Sequence, residues 1–200
     1  MENKIEKDVT YSPIKSKFQK HAEGAWDLIK FAIIALAIVV PIRMFIAQPF
    51  VVSGESMFPT FDDGQYLVVD ELSYNLGIPH RGDVVVFKYP NDPSRFFIKR
   101  IIGLPNETVK IEGHLVTIIN EENPEGFVLE ENYINEKFSA TGTYKVGNAE
   151  YFVMGDNRNR SSDSRVWGML PRKLMVGRAF LRLLPIKEVA YLPGAVVEPK

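Results

Sequence analysis

One stretch of this chain has no alternation of apolar and polar positions. Residues 31–42 read FAIIALAIVVPI and carry no charge, and the wider window 26–47 holds only Asp27, Lys30 and Arg43. A membrane span needs about 20 apolar residues, so this run is short by itself. Trp26 and Lys30 at one interface and a snorkelling Arg43 at the other extend the window to spanning length. Pro41 lies near its end, where a kink is tolerated. The alternative is a buried core helix. Beyond residue 48 short apolar runs alternate with turn signals such as Asp63-Gly64, Arg81-Gly82, Pro105-Asn106 and Glu112-Gly113. The pattern predicts strands at 65–70, 83–88, 95–102, 108–111, 115–119, 150–154 and 174–184. No long amphipathic helix interrupts them. The fold expected is mainly β: antiparallel sheets in a folded-over barrel or sandwich-like domain, with one N-terminal transmembrane helix.

Organisation follows from the same pattern. Residues 1–25 form a leading segment, 26–47 the membrane helix and 48–200 one domain with its own core. Within that domain 104–148 is more polar, with hairpin-like spacing, and is expected to be an inserted β subdomain. Lys4, Lys7, Lys15, Lys17, Lys20 and Lys30 precede or enter the apolar run, and after Arg43 no Lys or Arg occurs until Arg81. That asymmetry puts the N-terminus in the cytoplasm and the domain outside the cell membrane, in a single pass. The residues before Gln48 lack a small-x-small pattern, which argues against a cleaved leader.

Composition adds exclusions. A net charge of −1 gives no support to nucleic-acid binding. The absence of cysteine removes thiol catalysis, disulfides and Cys-based zinc sites. The three histidines are His21, His80 and His114, with no HExxH pattern, no G-x-S-x-G elbow and no phosphate loop. Neither a metal nor a cofactor is expected.

Within strand 95–102 the segment FFIKRIIG raises a specific question. Alternation puts Phe97, Lys99 and Ile101 on one face and Phe96, Ile98, Arg100 and Ile102 on the other. Each mostly apolar face thus carries one cation, and burying an unpaired charge is costly. Residues 53–60, SGESMFPT, suggest a reason. Gly54 permits unusual backbone angles and Pro59 stiffens the far side of the turn, so Ser56 could be presented at the end of a strand with its N–H free for an oxyanion. A serine nucleophile needs a base, and a desolvated lysine can serve. Lowering lysine from about 10.4 to near 7–8 corresponds to roughly 4 kcal/mol. Lys99 among apolar neighbours is then an expected feature of a Ser–Lys site.

A third segment, GDNRNRSSDSR at 155–165, is unsuited to calcium, since Arg158 and Arg160 fall where oxygen ligands belong. It reads as an internally hydrogen-bonded Asp–Arg loop that could hold a hydroxyl against Lys99. Arg100, opposite Lys99, needs a carboxylate, and Asp156 at the start of this loop is the best candidate.

The three segments together resemble the bacterial type I signal peptidases, from about residue 48 to 185. The resemblance implies Ser56 as nucleophile with Met57 after it, Lys99 as general base beside Arg100, and Ser161, Asp163 and Arg165 in supporting positions. Two departures stand out. Many members carry a serine where this chain has Gly54, and the third motif more often reads GDNRDNSxDSR, whereas Asn159-Arg160 stand here. The implied activity is a membrane-anchored endopeptidase that removes signal peptides from exported preproteins after a small-x-small site, through an acyl-enzyme. Its partners would be preprotein signal peptides and membrane lipid, and the protein is expected to be a monomer. By the same resemblance Phe50, Val52, Met57, Phe61, Phe97 and Ile98 would line apolar substrate pockets, although all six also suit a core. The alternatives are another Ser–Lys protease of related fold and a membrane-tethered β-domain that binds peptides without cutting them.

Overall fold

A computed structural model describes residues 17–45 and 47–196. The chain divides into two units, 1–42 and 43–200. In the first, helix α1 (Lys17–Phe45) is 29 residues long. Of its described side chains, every one from Trp26 to Val40 except half-buried Ala35 is exposed, whichever face it occupies. Among the described residues no helix is long and apolar enough to cross a membrane.

The second unit is built from antiparallel strands. The larger sheet contains β1 (Ala47–Val51), β2 (Tyr66–Asp70), β3 (Val84–Tyr89) and β4 (Asp92–Gly103). The smaller sheet has β5 (Thr108–Gly113), β6 (Leu115–Ile119), β7 (Phe127–Val128) and β8 (Ala140–Lys145). The chain then returns to the larger sheet with β9 (Glu150–Met154), β10 (Leu170–Pro171), β11 (Met175–Leu184) and β12 (Ala190–Tyr191). Strand order is β1-β2-β11-β3-β4-β9-β10, with β12 on β11, and β7-β6-β5-β8 in the smaller sheet. The larger sheet has two free ends, so the barrel part of the expected fold is not realised: no strand pairing joins β1 to β10.

Burial explains which strands are central. In β3, VVVFKY, the first four residues are buried whichever face they occupy, as an apolar, β-branched run in mid-sheet should be. Strand β4 is split. Its inner end, from Lys99 onward, is buried, whereas Ser94, Arg95 and Phe96 are exposed. The cause is pairing: β3 accompanies β4 along Phe96–Arg100, but β9 pairs only with Arg100, Ile101 and Gly103. Among the described residues, one edge of the outer half of β4 therefore lacks a neighbouring strand, as does the outer edge of β1.

Three apolar clusters hold the unit together. One joins Ile102, Phe152 and Met154 to Val109, Ile111, Val116 and Ile118 of the smaller sheet. A second packs Ile101, Val85, Phe87, Val153 and Leu170 with half-buried Phe97 and Trp167. The third joins Val52, Met57, Phe61, Leu67, Val84 and Ala179, with Ile98 against it. The long β4 strand contributes to all three, through Ile102, Ile101 and Ile98.

Candidate active site

Ser56 lies in the turn after β1. Val52 N–H donates to Gln65 O at 2.9 Å and Gly64 N–H to Val52 O at 2.9 Å, fixing the turn's base. Gly54 has φ of +90°, a left-handed value that favours glycine, and its N–H donates to Asp63 Oδ1 at 2.7 Å. Beyond the serine, Phe58 N–H donates to Glu55 O and Phe61 N–H to Met57 O. The side chains of Met57 and Phe61 then drop into the third apolar cluster with no solvent exposure. They are core residues, not pocket walls as the resemblance implied, because the turn that presents Ser56 must be anchored from below.

Lys99 Nζ lies 2.7 Å from Ser56 Oγ and donates to Ile98 O at 2.9 Å. The lysine is 4% exposed. Burial lowers its pKa from 10.5 to about 8, against the opposing pull of the Asp163 and Asp156 carboxylates. Desolvation outweighs two nearby negative charges, so about a tenth of the lysine is neutral amine at pH 7 and about half near pH 8.

Arg100 points the other way and is fully buried. Its Nε and Nη2 reach Asp156 Oδ1 and Oδ2 at 2.8 and 2.6 Å, and Nη1 donates to Gly82 O at 2.8 Å. Tyr133 covers the guanidinium, with its ring centroid 3.9 Å from the central carbon. The β4–β9 register produces the pair: Arg100 is opposite Met154, and two residues later the chain reaches Asp156.

The loop after β9 is tied down throughout. Asn157 N–H donates to Ser56 O at 3.0 Å. The fully buried Asp163 accepts from Gly155 N–H at 3.1 Å and from Arg165 Nε and Nη2 at 2.8 Å each. It also caps the short helix α2 (Ser164–Trp167) through Arg165 N–H. Arg158, nearly fully buried, forms a two-pronged pair with Glu131 and donates to Gly155 O at 3.1 Å. Glu131 lies in a polar stretch with no motif, and nothing in the sequence singles it out. Gly155 opens the GDNRNRSSDSR segment, but the sequence does not show why a glycine is needed there. A Cβ there would lie 2.3 Å from Ser161 Oγ and 2.4 Å from Ser56 O, so only glycine lets the loop approach the serine. Ser161 is thereby brought beside Ser56, but among the described residues its buried Oγ has no hydrogen-bond partner and makes no bond to Lys99.

A cleft of about 550 Å³ opens at Ser56 and Lys99. Phe50, Val52, Phe97 and Ile98 line it, with Gly54, Arg95, Phe96, Arg160 and Ser162. Phe50 of β1 meets Phe96 of β4 edge-on, ring centroids 5.3 Å apart. The two strands with free edges thus border one cleft, with a serine and a buried lysine in its wall.

The family of "signal peptidase, peptidase S26" matches residues 25–184, which include all these site residues. The chain belongs to this family. It is 36% identical over 181 residues to a probable signal peptidase I-1 of Synechocystis sp., covering 87% of this chain and 88% of the relative. To a signal peptidase I of Leptolyngbya laminosa it is 39% identical, over 80% and 79% of the two chains. To signal peptidase I V of Bacillus subtilis it is 38% identical, over 76% and 94%. The departures at Gly54 and at Asn159-Arg160 therefore stand within a signal peptidase family member.

Proposed function

We propose that this protein is a membrane-anchored serine endopeptidase that removes signal peptides from exported preproteins, with Ser56 as nucleophile and Lys99 as general base. The 2.7 Å Ser56–Lys99 contact, made by a lysine that burial holds partly neutral, carries the reading. Lys99 takes the Ser56 proton as Oγ attacks the scissile carbonyl. The proton then passes to the leaving amine, an acyl-enzyme remains, and water activated by Lys99 releases the signal peptide. The Ser56 N–H serves the oxyanion. Once protonated, Lys99 has three N–H donors. Ser56 and Ile98 accept two of them, and we assign the third to Ser161 Oγ, a buried acceptor that otherwise lacks a partner. Asp163, Arg165, Arg100 and Asp156 hold the loop that carries Ser161, and Gly54 shapes the serine turn.

Substrate binding follows from the free edges. A peptide in extended form can pair with β1 and with the outer half of β4 while small side chains enter the cleft between Phe50, Val52, Phe97 and Ile98. The shallow apolar walls suit small residues at the positions one and three before the cut. We further read 1–25 as cytoplasmic, 26–47 as the anchor in the cell membrane and 48–200 as an extracytoplasmic, monomeric catalytic domain with 104–148 inserted. Helix α1 ends at Phe45 and Ala47 already belongs to β1, so the helical part of that anchor stops at Phe45. Among the described residues it is short of a full apolar span. The all-round exposure of Phe31, Ile34, Leu36 and Val39 on α1 supports a lipid setting.

The test is incubation of detergent-solubilised protein with a preprotein, followed by N-terminal sequencing of the product. A single cut after a small-x-small site, absent in Ser56→Ala, is expected. Equal cleavage by Ser56→Ala would refute the assignment.

A further inference from the structure

Arg160 stands where the motif of many family members has asparagine, and its surroundings differ from those of the loop's other arginines. Arg158 and Arg165 are nearly buried and bound within the fold. Arg160 is 71% exposed, lines the cleft with Ser56, and its Nη1 meets Glu55 Oε2 at 2.6 Å. Glu55 immediately precedes the serine and is 61% exposed. The pair therefore stands at the rim of the cleft, one residue from the proposed nucleophile. The loop bearing Arg160 is pinned to that point by the Asn157–Ser56 backbone bond.

The cleft's charge is unbalanced. Its described ionisable residues are Glu55, Arg95, Lys99 and Arg160, and Lys99 is the one held partly neutral. Arg95, which also lines the cleft, lies over the Phe97 ring at 5.4 Å. Two guanidiniums thus face one carboxylate. An exposed ion pair is weak, so a substrate carboxylate can take Arg160 from Glu55 with little loss. An extended peptide advances about 3.3 Å per residue, so side chains one or two residues from the scissile bond come within reach of an arginine at the rim.

We propose that Arg160 is a specificity-determining residue that favours preproteins with an acidic residue adjacent to the cleavage site, with Glu55 as its competing counter-ion. The proposal rests on the peptidase reading of Ser56 and Lys99. It concerns selection only: Arg160 takes no part in proton transfer.

The experiment compares peptides identical around a small-x-small site except for Glu, Gln or Lys, placed in turn two residues before the cut and one and two residues after it. The wild-type kcat/KM for Glu should exceed that for Gln by about two- to fivefold in at least one of these positions, with Lys lowest. The Glu/Gln ratio should fall toward one in Arg160→Gln, rise in Glu55→Gln, invert in favour of Lys in Arg160→Glu, and shrink with added salt. A wild-type ratio near one at all three positions, or a ratio unchanged in Arg160→Gln and Arg160→Glu, overturns the proposal and leaves the Ser56–Lys99 reading standing. Failure to cut any of the peptides would instead remove that reading, and this proposal with it.

Discussion

Arg100 and Asp156 face each other with neither side chain exposed, joined by contacts of 2.8 and 2.6 Å. The pair fastens the Ser161 loop to the strand that carries Lys99, and Thr60 of the serine turn donates to Asp156 beside it. Breaking such a pair leaves an uncompensated buried charge and costs about 3–5 kcal/mol. Arg100→Ala and Asp156→Ala should each lose stability of that order in chemical denaturation. The double variant should lose much less than the sum, whereas additive losses would mean that the two residues act independently.

Gly155 imposes a different constraint. An alanine methyl would sit 2.4 Å from the Ser56 carbonyl oxygen and 2.3 Å from Ser161 Oγ. A backbone atom cannot turn aside as a flexible side chain can. Gly155→Ala should therefore cost about 1–3 kcal/mol and displace the loop from the serine. Denaturation midpoints and cleavage rates should fall together. A variant as active and stable as the parent would contradict the close approach.

Ser161→Ala should separate stability from activity. The hydroxyl is buried and unpartnered, so removing it should leave stability equal or higher. Turnover should fall roughly tenfold, because the lysine ammonium formed during the reaction loses its third acceptor. Unchanged turnover would dismiss the assigned role.

Much of this arrangement was legible in the sequence, for definable reasons. Short apolar or β-branched runs bounded by turn signals located β2, β3, β4, β5, β6, β9 and β11, some alternating like β2 and β5 and some continuous like β3 and β9. Strand β8, ATGTYK, escapes such a reading: it is half polar with a glycine inside, and pairing with β5 along its whole length makes it a strand. The two-residue strands β7, β10 and β12 are too short for any period to show. At the site, the misfit of two cations in an apolar strand pointed to Lys99 and to the Arg100–Asp156 pair. Met57 and Phe61 present the opposite case. A hydrophobic residue beside a nucleophile suits a pocket or a core equally, and only packing against Leu67, Val84 and Ala179 decides between them. Gly155 opens the GDNR segment, but the need for glycine there, like the role of Glu131, depends on contacts between distant segments.

Lys99 should also leave a mark on stability. Below about pH 8 it is protonated in both states and its burial opposes folding. Between about 8 and 10.5 the unfolded chain still binds the proton and the folded chain does not, so stability rises with pH across that window. Lys99→Met should be more stable than the parent by about 3 kcal/mol at pH 7. The difference should shrink as pH approaches 10.5, and a gap independent of pH would mean that the lysine does not titrate as described.

The pH dependence of kcat/KM for a small-x-small peptide tests the Ser56–Lys99 mechanism most directly, since it reports the ionisation of the free enzyme's base. The rate should climb with a midpoint near 8, the value to which burial brings Lys99, and then level off. A rate that rises only around 10.5, the ordinary lysine value, would show a solvated amine and contradict the account.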